Sequence, residues 1–180
     1  KPIGGNLFHK PELNWGILGT ARIAEKSIIP ALLSLKHTPV IAVASRDLTR
    51  AQEFAEPFEI SRAYGNYDDL ISDSDVQAVY IPLPNSEHAP WAIKAMQAGK
   101  HVLVEKPFAL NADEAQLMIS TALENSVVLM EGFMYRYSDR FEKIYEIIRS
   151  GSIGKVRLVQ AGFSFMLGNP DDIRLAPDLG

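Results

Sequence analysis

Short apolar runs and stretches of helical period take turns along this chain, and few folds accept that order. Residues 15–18, 40–44, 60–64, 76–81, 102–104 and 127–130 read as strands. Between them apolar residues recur at helical spacing, as with Ile23, Ile28, Ala31, Leu32 and Leu35 before the second run. Strands joined by helices of this length run parallel, each crossover returning the chain to the edge it left. The pattern therefore predicts an α/β fold, a Rossmann-type doubly wound parallel sheet. Punctuation agrees with it. Asp47 is placed to cap a helix reaching Ala55, Gly99 to stop the helix that ends at Ala98, and Asn111 with Glu114 to open one reaching Asn125. Pro30 is expected to kink or shorten its helix, and Pro90 to lie in the first turn of its own. A last helix is expected over 138–150.

In such a sheet, ligands bind outside the carboxyl ends of the strands, so the residues that follow each strand carry the chemistry. After the first strand, Gly19, Thr20, Ala21, Arg22 and Ile23 lead into the helix that contains Ala24. Gly19, Ala21 and Ala24 occupy the three places of a G-x-G-x-x-G/A phosphate turn, with Ala21 adding a methyl where a pyrophosphate comes near. The second strand ends in Ser45 and Arg46, with Arg50 one helical turn on. Two cations and a hydroxyl at a helix N-terminus suit a ribose 2′-phosphate, which favours NADP over NAD. The competing reading makes Asp47 the acid that bonds the 2′-hydroxyl of NAD. The fourth strand stops at P-L-P-N, bringing Pro82, Leu83 and Asn85 to the same edge, with His88 just beyond. A lone histidine there is more often a local hydrogen-bond partner than a catalyst.

The fifth strand ends in Glu105, Lys106 and Pro107. A lysine at that edge, facing a nicotinamide, can pass a proton while the coenzyme passes a hydride. The plainer alternative is a surface lysine paired with a nearby carboxylate. Arg136 follows the sixth strand toward the same edge, and its plainer alternative is a pair with a surface acid. His9, His37 and His101 show no metal-ligand spacing, so no metal site is expected.

Beyond residue 150 the pattern changes. Residues 155–167 alternate, with Val159, Ala161, Phe163, Phe165 and Leu167 on one side, as in a half-buried antiparallel strand. The expected division is an N-terminal arm (1–13), a dinucleotide-binding domain (14–150) and the incomplete start of a second α/β domain with a mainly antiparallel sheet (151–180).

Composition narrows the partners. The 18 basic and 22 acidic residues leave a net charge of −4 without a basic block, which argues against nucleic acid. No apolar run approaches the ~20 residues of a membrane helix. Cysteine is absent, which excludes disulfides and thiolate metal sites. The first thirteen residues lack the apolar core of a signal peptide, so a cytoplasmic location is expected. The chain opens on Lys1 rather than Met, so an upstream segment is expected to have been removed, and an exported form stays open.

W-G-I-L-G-T-A-R-I-A (15–24), V-Y-I-P-L-P-N-S-E-H (79–88), A-G-K-H-V-L-V-E-K-P (98–107) and M-E-G-F-M-Y-R-Y (130–137) together resemble the glucose–fructose oxidoreductase / inositol dehydrogenase (Gfo/Idh/MocA) family of NAD(P)-dependent oxidoreductases. The nearest likeness is to its sugar and trans-dihydrodiol dehydrogenase branch, over residues 14 to 180. The resemblance implies that Lys106 is the catalytic lysine, that Glu105 and Pro107 shape the nicotinamide pocket, and that a second domain carries substrate contacts and the dimer interface. It implies a hydride transfer to or from a sugar-like or vicinal-diol alcohol or carbonyl. A non-catalytic NAD(P)-binding regulator of the same family is the alternative, and the intact E-K-P argues against it.

Overall fold

β1 (Trp15–Leu18) is flanked on both sides by parallel strands. Gly16, Ile17 and Leu18 register with Ala42, Val43 and Ala44 of β2 (Val40–Ala44). Trp15, Gly16 and Ile17 register with Ala78, Val79 and Tyr80 of β4 (Ala78–Ile81). With β3 (Arg62–Tyr64), β5 (His101–Val104) and β6 (Leu129–Glu131), the order is β3-β2-β1-β4-β5-β6, all parallel. The chain winds outward through β2 and β3, then restarts at β4 on the other side of β1. This computed structural model describes residues 12–166, in two compact units that divide between Gly132 and Phe133.

Strand alternation sends neighbouring residues to opposite faces. Leu18, Val79, Ile81, Val102 and Val104 join the core under α3 (Tyr67–Ser72), α4 (Asn85–Gln97) and α5 (Ala112–Glu124). Ile17, Val43 and Tyr80 join the core under α1 (Ile29–Leu33) and α2 (Leu48–Ala55). β4 is buried along its whole length, whereas in β5 only Val102 and Val104 are buried and His101 and Leu103 are half-covered. β5 thus has one closed face and one open one, not the two closed faces its apolar run suggests.

Proline shapes two helices. Pro30 does shorten its helix: a π turn over Ala24–Ile28, in which the Ile29 N–H bonds Ala24 O, leads into the five-residue α1 with Pro30 in its first turn. Pro90 departs from expectation. α4 starts at Asn85, directly after Pro84, so Pro90 falls in its second turn, on the exposed side. Two prolines before Asn85 read as breakers, yet Pro84 enters the helix with φ −55°. The strands β3, β4 and β6 each begin two residues later than their apolar runs, because a ladder needs a partner as well as apolarity.

In the second unit, a 3-10 turn (Met134–Tyr137) precedes α6 (Asp139–Arg149). Phe133, Tyr135, Phe141 and Tyr145 form an aromatic chain with successive centroids 4.8, 4.9 and 5.4 Å apart. The antiparallel strand expected over 155–167 is not formed: residues 156–166 carry no regular structure and are exposed, Phe163 at 91%, and Leu167 lies outside the described residues. A strand exists only as part of a ladder, and among the described residues none pairs with this segment. Most of the N-terminal arm, residues 1–11, also lies outside them. Among the described residues no helix is long and apolar enough to cross a membrane.

The amino edge of the sheet is tied by charge. Arg62 Nη1 donates to both oxygens of Asp73 (2.9 and 2.7 Å), Nη2 donates to Asp75 (2.6 Å), and the Tyr64 hydroxyl donates to Asp73 (2.8 Å). The buried Lys100 Nζ donates to the carbonyls of Asp73 and Val76, both at 2.7 Å. Burial alone would raise the Asp73 carboxyl. Arg62, the Asp75 N–H and the Tyr64 hydroxyl override it and hold the group below the ordinary carboxylate range. A depressed folded-state pKa contributes stability that is present above the unfolded value of about 3.9 and lost as pH falls through the folded one. Asp73→Asn should therefore lower the thermal midpoint at pH 7, with the two proteins converging as pH drops below about 4. Parallel melting curves down to pH 2 would show that the network adds nothing.

Candidate functional site

Parallel pairing brings the carboxyl ends of β1, β2, β4, β5 and β6 to one edge, and almost all the candidates of the first unit follow from it. Gly19 ends β1 with φ +105°, a conformation that L side chains rarely adopt. Its N–H donates to Ala44 O at 2.8 Å, pinning the turn to β2. A Cβ built on Gly19 would lie 2.8 Å from Leu83 Cδ2, so the β4 loop closes directly over it. Thr20 and Arg22 share with Arg50 a cleft of about 390 Å³ between this turn and α2. Ala21 is half-buried, and Ile23 is exposed and leads into the π turn.

At the end of β2, Ser45 is buried and its Oγ accepts the Asp47 N–H at 3.4 Å. Asp47 caps α2, its Oδ1 accepting the Arg50 N–H at 3.1 Å. That carboxylate already has a structural task, as the cap reading requires. Arg46 and Arg50 are exposed, and among the described residues neither makes an ion pair.

The β4 and β5 loops are held together from beneath. His88 of α4 is fully buried, with Nδ1 2.7 Å from Pro107 O and Nε2 2.9 Å from Leu83 O. Both nitrogens lie against backbone carbonyls, the geometry of the local hydrogen-bond partner that is the plainer alternative for His88. It joins the two loops that would form the pocket. Pro82 is buried, and Asn85 opens α4. Glu105 is half-buried and Lys106 exposed, with no ion pair to Lys106 among the described residues; the Lys106–Pro107 peptide is cis. Arg136 belongs to the second unit, on its 3-10 turn, exposed and without an ion pair among the described residues.

Two tyrosines at this edge escaped the sequence reading. Tyr67 opens α3, with its hydroxyl 4.0 Å from the position of a Gly19 Cβ and its ring edge-on to Trp91 at 4.9 Å. Burial pushes its phenol up, with Arg46 and Arg50 pulling the other way. Tyr80 sits inside β4 and donates to Glu105 Oε1 at 2.6 Å. Tyr80 is a lone phenol in an apolar strand and Tyr67 a lone phenol after a polar turn, and neither setting gives a signal.

A six-stranded 3-2-1-4-5-6 sheet with a positive-φ glycine at the first turn defines a dinucleotide-binding fold of the Rossmann class. The chain belongs to the oxidoreductase family with an NAD-binding Rossmann fold (Gfo/Idh/MocA), whose pattern matches residues 13–133. Over 92% of its length it is 45% identical to the D-xylose 1-dehydrogenase (NADP+) 2 of Haloferax volcanii, and over 87% it is 39% identical to the mouse trans-1,2-dihydrobenzene-1,2-diol dehydrogenase. It covers 50% and 47% of those proteins, so the chain spans about half the length of the curated relatives it matches. Among solved structures, the 3-ketoreductase KijD10 of Actinomadura kijaniata, in complex with NADP, superposes with a TM-score of 0.74 at 36% identity, over 81% of this chain and 46% of that one.

The Gly19 turn supplies a direct test. A Cβ there meets both a strained φ and Leu83, a cost of about 1–2 kcal/mol for the backbone alone. Gly19→Ala should weaken binding of a nicotinamide dinucleotide about tenfold or more by calorimetric titration. Unchanged affinity would mean that the turn does not approach the ligand.

Proposed function

We propose that the chain forms the coenzyme half of an NADP-dependent oxidoreductase acting on a sugar-like or vicinal-diol alcohol, or on the matching carbonyl. The observation that carries the reading is the pairing of two guanidiniums without ion pairs, Arg46 and Arg50, at the end of β2 with an exposed Lys106 at the end of β5 on the same sheet edge. The residues present fit such a coenzyme: a turn without a Cβ at Gly19 for the diphosphate, Ser45, Arg46 and Arg50 for the 2′-phosphate, and Leu83, Glu105, Lys106 and Pro107 around the nicotinamide. When bound, the nicotinamide supplies or accepts the hydride. Lys106 moves the proton between the substrate oxygen and solvent, and His88 keeps the two pocket loops together. An enzyme reading is further supported by the dehydrogenase and reductase names of the relatives. We place the dinucleotide-binding domain over 14–150 and read the segment from 151 as the opening of a second domain, with an antiparallel sheet, that carries substrate contacts and a homo-oligomer interface.

Coenzyme choice is tested by titrating NADP and NAD. Hydrogen bonds to a charged group contribute about 1.5–3 kcal/mol, so one arginine on the 2′-phosphate should favour NADP by roughly ten- to a hundredfold. Arg46→Ala should remove most of that preference. Equal affinities in the parent would move the assignment to Asp47 and NAD.

Catalysis is tested in the full-length protein with D-xylose and trans-1,2-dihydrobenzene-1,2-diol as probes. Lys106→Met should keep coenzyme affinity and lose about 10²–10⁴ in turnover. Parental turnover by that variant would make the lysine structural only.

A further inference from the structure

Glu105 is held from three sides. Tyr80, fully buried one residue before the end of β4, donates its hydroxyl to Glu105 Oε1 at 2.6 Å. The other oxygen, Oε2, accepts the backbone N–H of Lys106 at 3.2 Å. On the third side lies Gly132: a Cβ there would sit 3.2 Å from Oε1 and 3.4 Å from Val104 O, so the end of β6 presses against the carboxylate. The Gly132 N–H also donates to Val104 O at 2.7 Å, which fixes that approach. Burial, then the Glu105 carboxylate beside it, pushes the Tyr80 phenol far up, so the hydroxyl stays a donor. Both oxygens of Glu105 are therefore engaged, and neither partner is the amine of the lysine next to it.

We infer that Tyr80 is a positioning residue for Lys106: it holds the Glu105 carboxylate turned into the sheet, where the carboxylate braces the lysine's backbone and leaves its amine unpaired at the site. This rests on the reading of Lys106 as the proton-transfer residue. A carboxylate beside a lysine otherwise tends to pair with it, and the pair stabilises the ammonium form, which neither accepts a proton nor acts as a nucleophile. The phenol fixes the orientation of the oxygen that would otherwise make that pair.

Amine reactivity tests this without a substrate. In the full chain, competitive acylation by trace acetic anhydride reads the rate at Lys106 by mass spectrometry, with the exposed Lys26 as internal reference. Tyr80→Phe should slow labelling at Lys106 about fivefold and leave Lys26 unchanged. Adding Glu105→Gln to Tyr80→Phe removes the competing charge and should restore the parental rate, which a general loosening of the fold would not. Glu105→Asp, whose shorter side chain leaves the Tyr80 hydroxyl out of reach, should also slow labelling and supplies an independent variant. An unchanged Lys106 rate in a folded Tyr80→Phe or Glu105→Asp protein overturns the inference, as does failure of the double variant to recover. Parental turnover in Lys106→Met would instead overturn the catalytic reading of the lysine, and the labelling result would stand apart from it.

Discussion

The parallel pairing of β1 with both β2 and β4 is the constraint on which the rest depends. β1 has a partner on each side, and at its end Gly19 turns with a positive φ while its N–H donates to Ala44 O. The same pairing carries the ends of β2, β4 and β5 to the edge where Gly19 lies, so Ser45, Leu83 and Lys106 share one sheet edge without being close in sequence. Charge is divided accordingly. The amino edge spends its ions internally, on Arg62, Asp73, Asp75 and Lys100, whereas Arg46, Arg50 and Lys106 at the carboxyl edge stay without ion pairs among the described residues. A sheet whose own stability uses one edge leaves the other available for an anionic ligand.

Buried polar groups organise the loops at that second edge. His88 spans the carbonyls of Leu83 and Pro107, and Tyr80 holds Glu105, so the P-L-P-N and E-K-P loops are both anchored from inside the fold. Such groups are costly to bury without a partner, and the Tyr80 hydroxyl and the His88 ring each have one here. The exposed residues of the proposed site are thus backed by hidden ones that fix its loops.

Much of this was legible in the sequence, and the exceptions have physical causes. The six strands, their parallel sense, the Asp47 and Asn111 caps and the positions of Gly19, Arg46 and Lys106 follow from the alternation of strand and helix patterns and from local capping residues. Pro90 was misplaced by one turn because Pro84 reads as a breaker when it is an entry. The run 155–166 has the alternation of a strand but, among the described residues, no ladder to join, and pattern alone cannot supply a partner. Tyr80 was opaque for a different reason, and for His88 the role of local hydrogen-bond partner was legible but the partner was not. Their hydrogen bonds cross 25 and 19 residues, and nothing in V-Y-I or S-E-H announces the partner.

The proposed function requires that the carboxyl edge of this sheet, and not the amino edge, receives NADP. Backbone amide shifts of the isotopically labelled chain, followed during titration with NADP, test it most directly. The largest changes should fall on Gly19 to Arg22, Ser45, Arg46, Leu83 and Lys106, with Arg62, Asp73 and Lys100 left in place. Changes centred on the amino edge, or spread evenly over both, would contradict it.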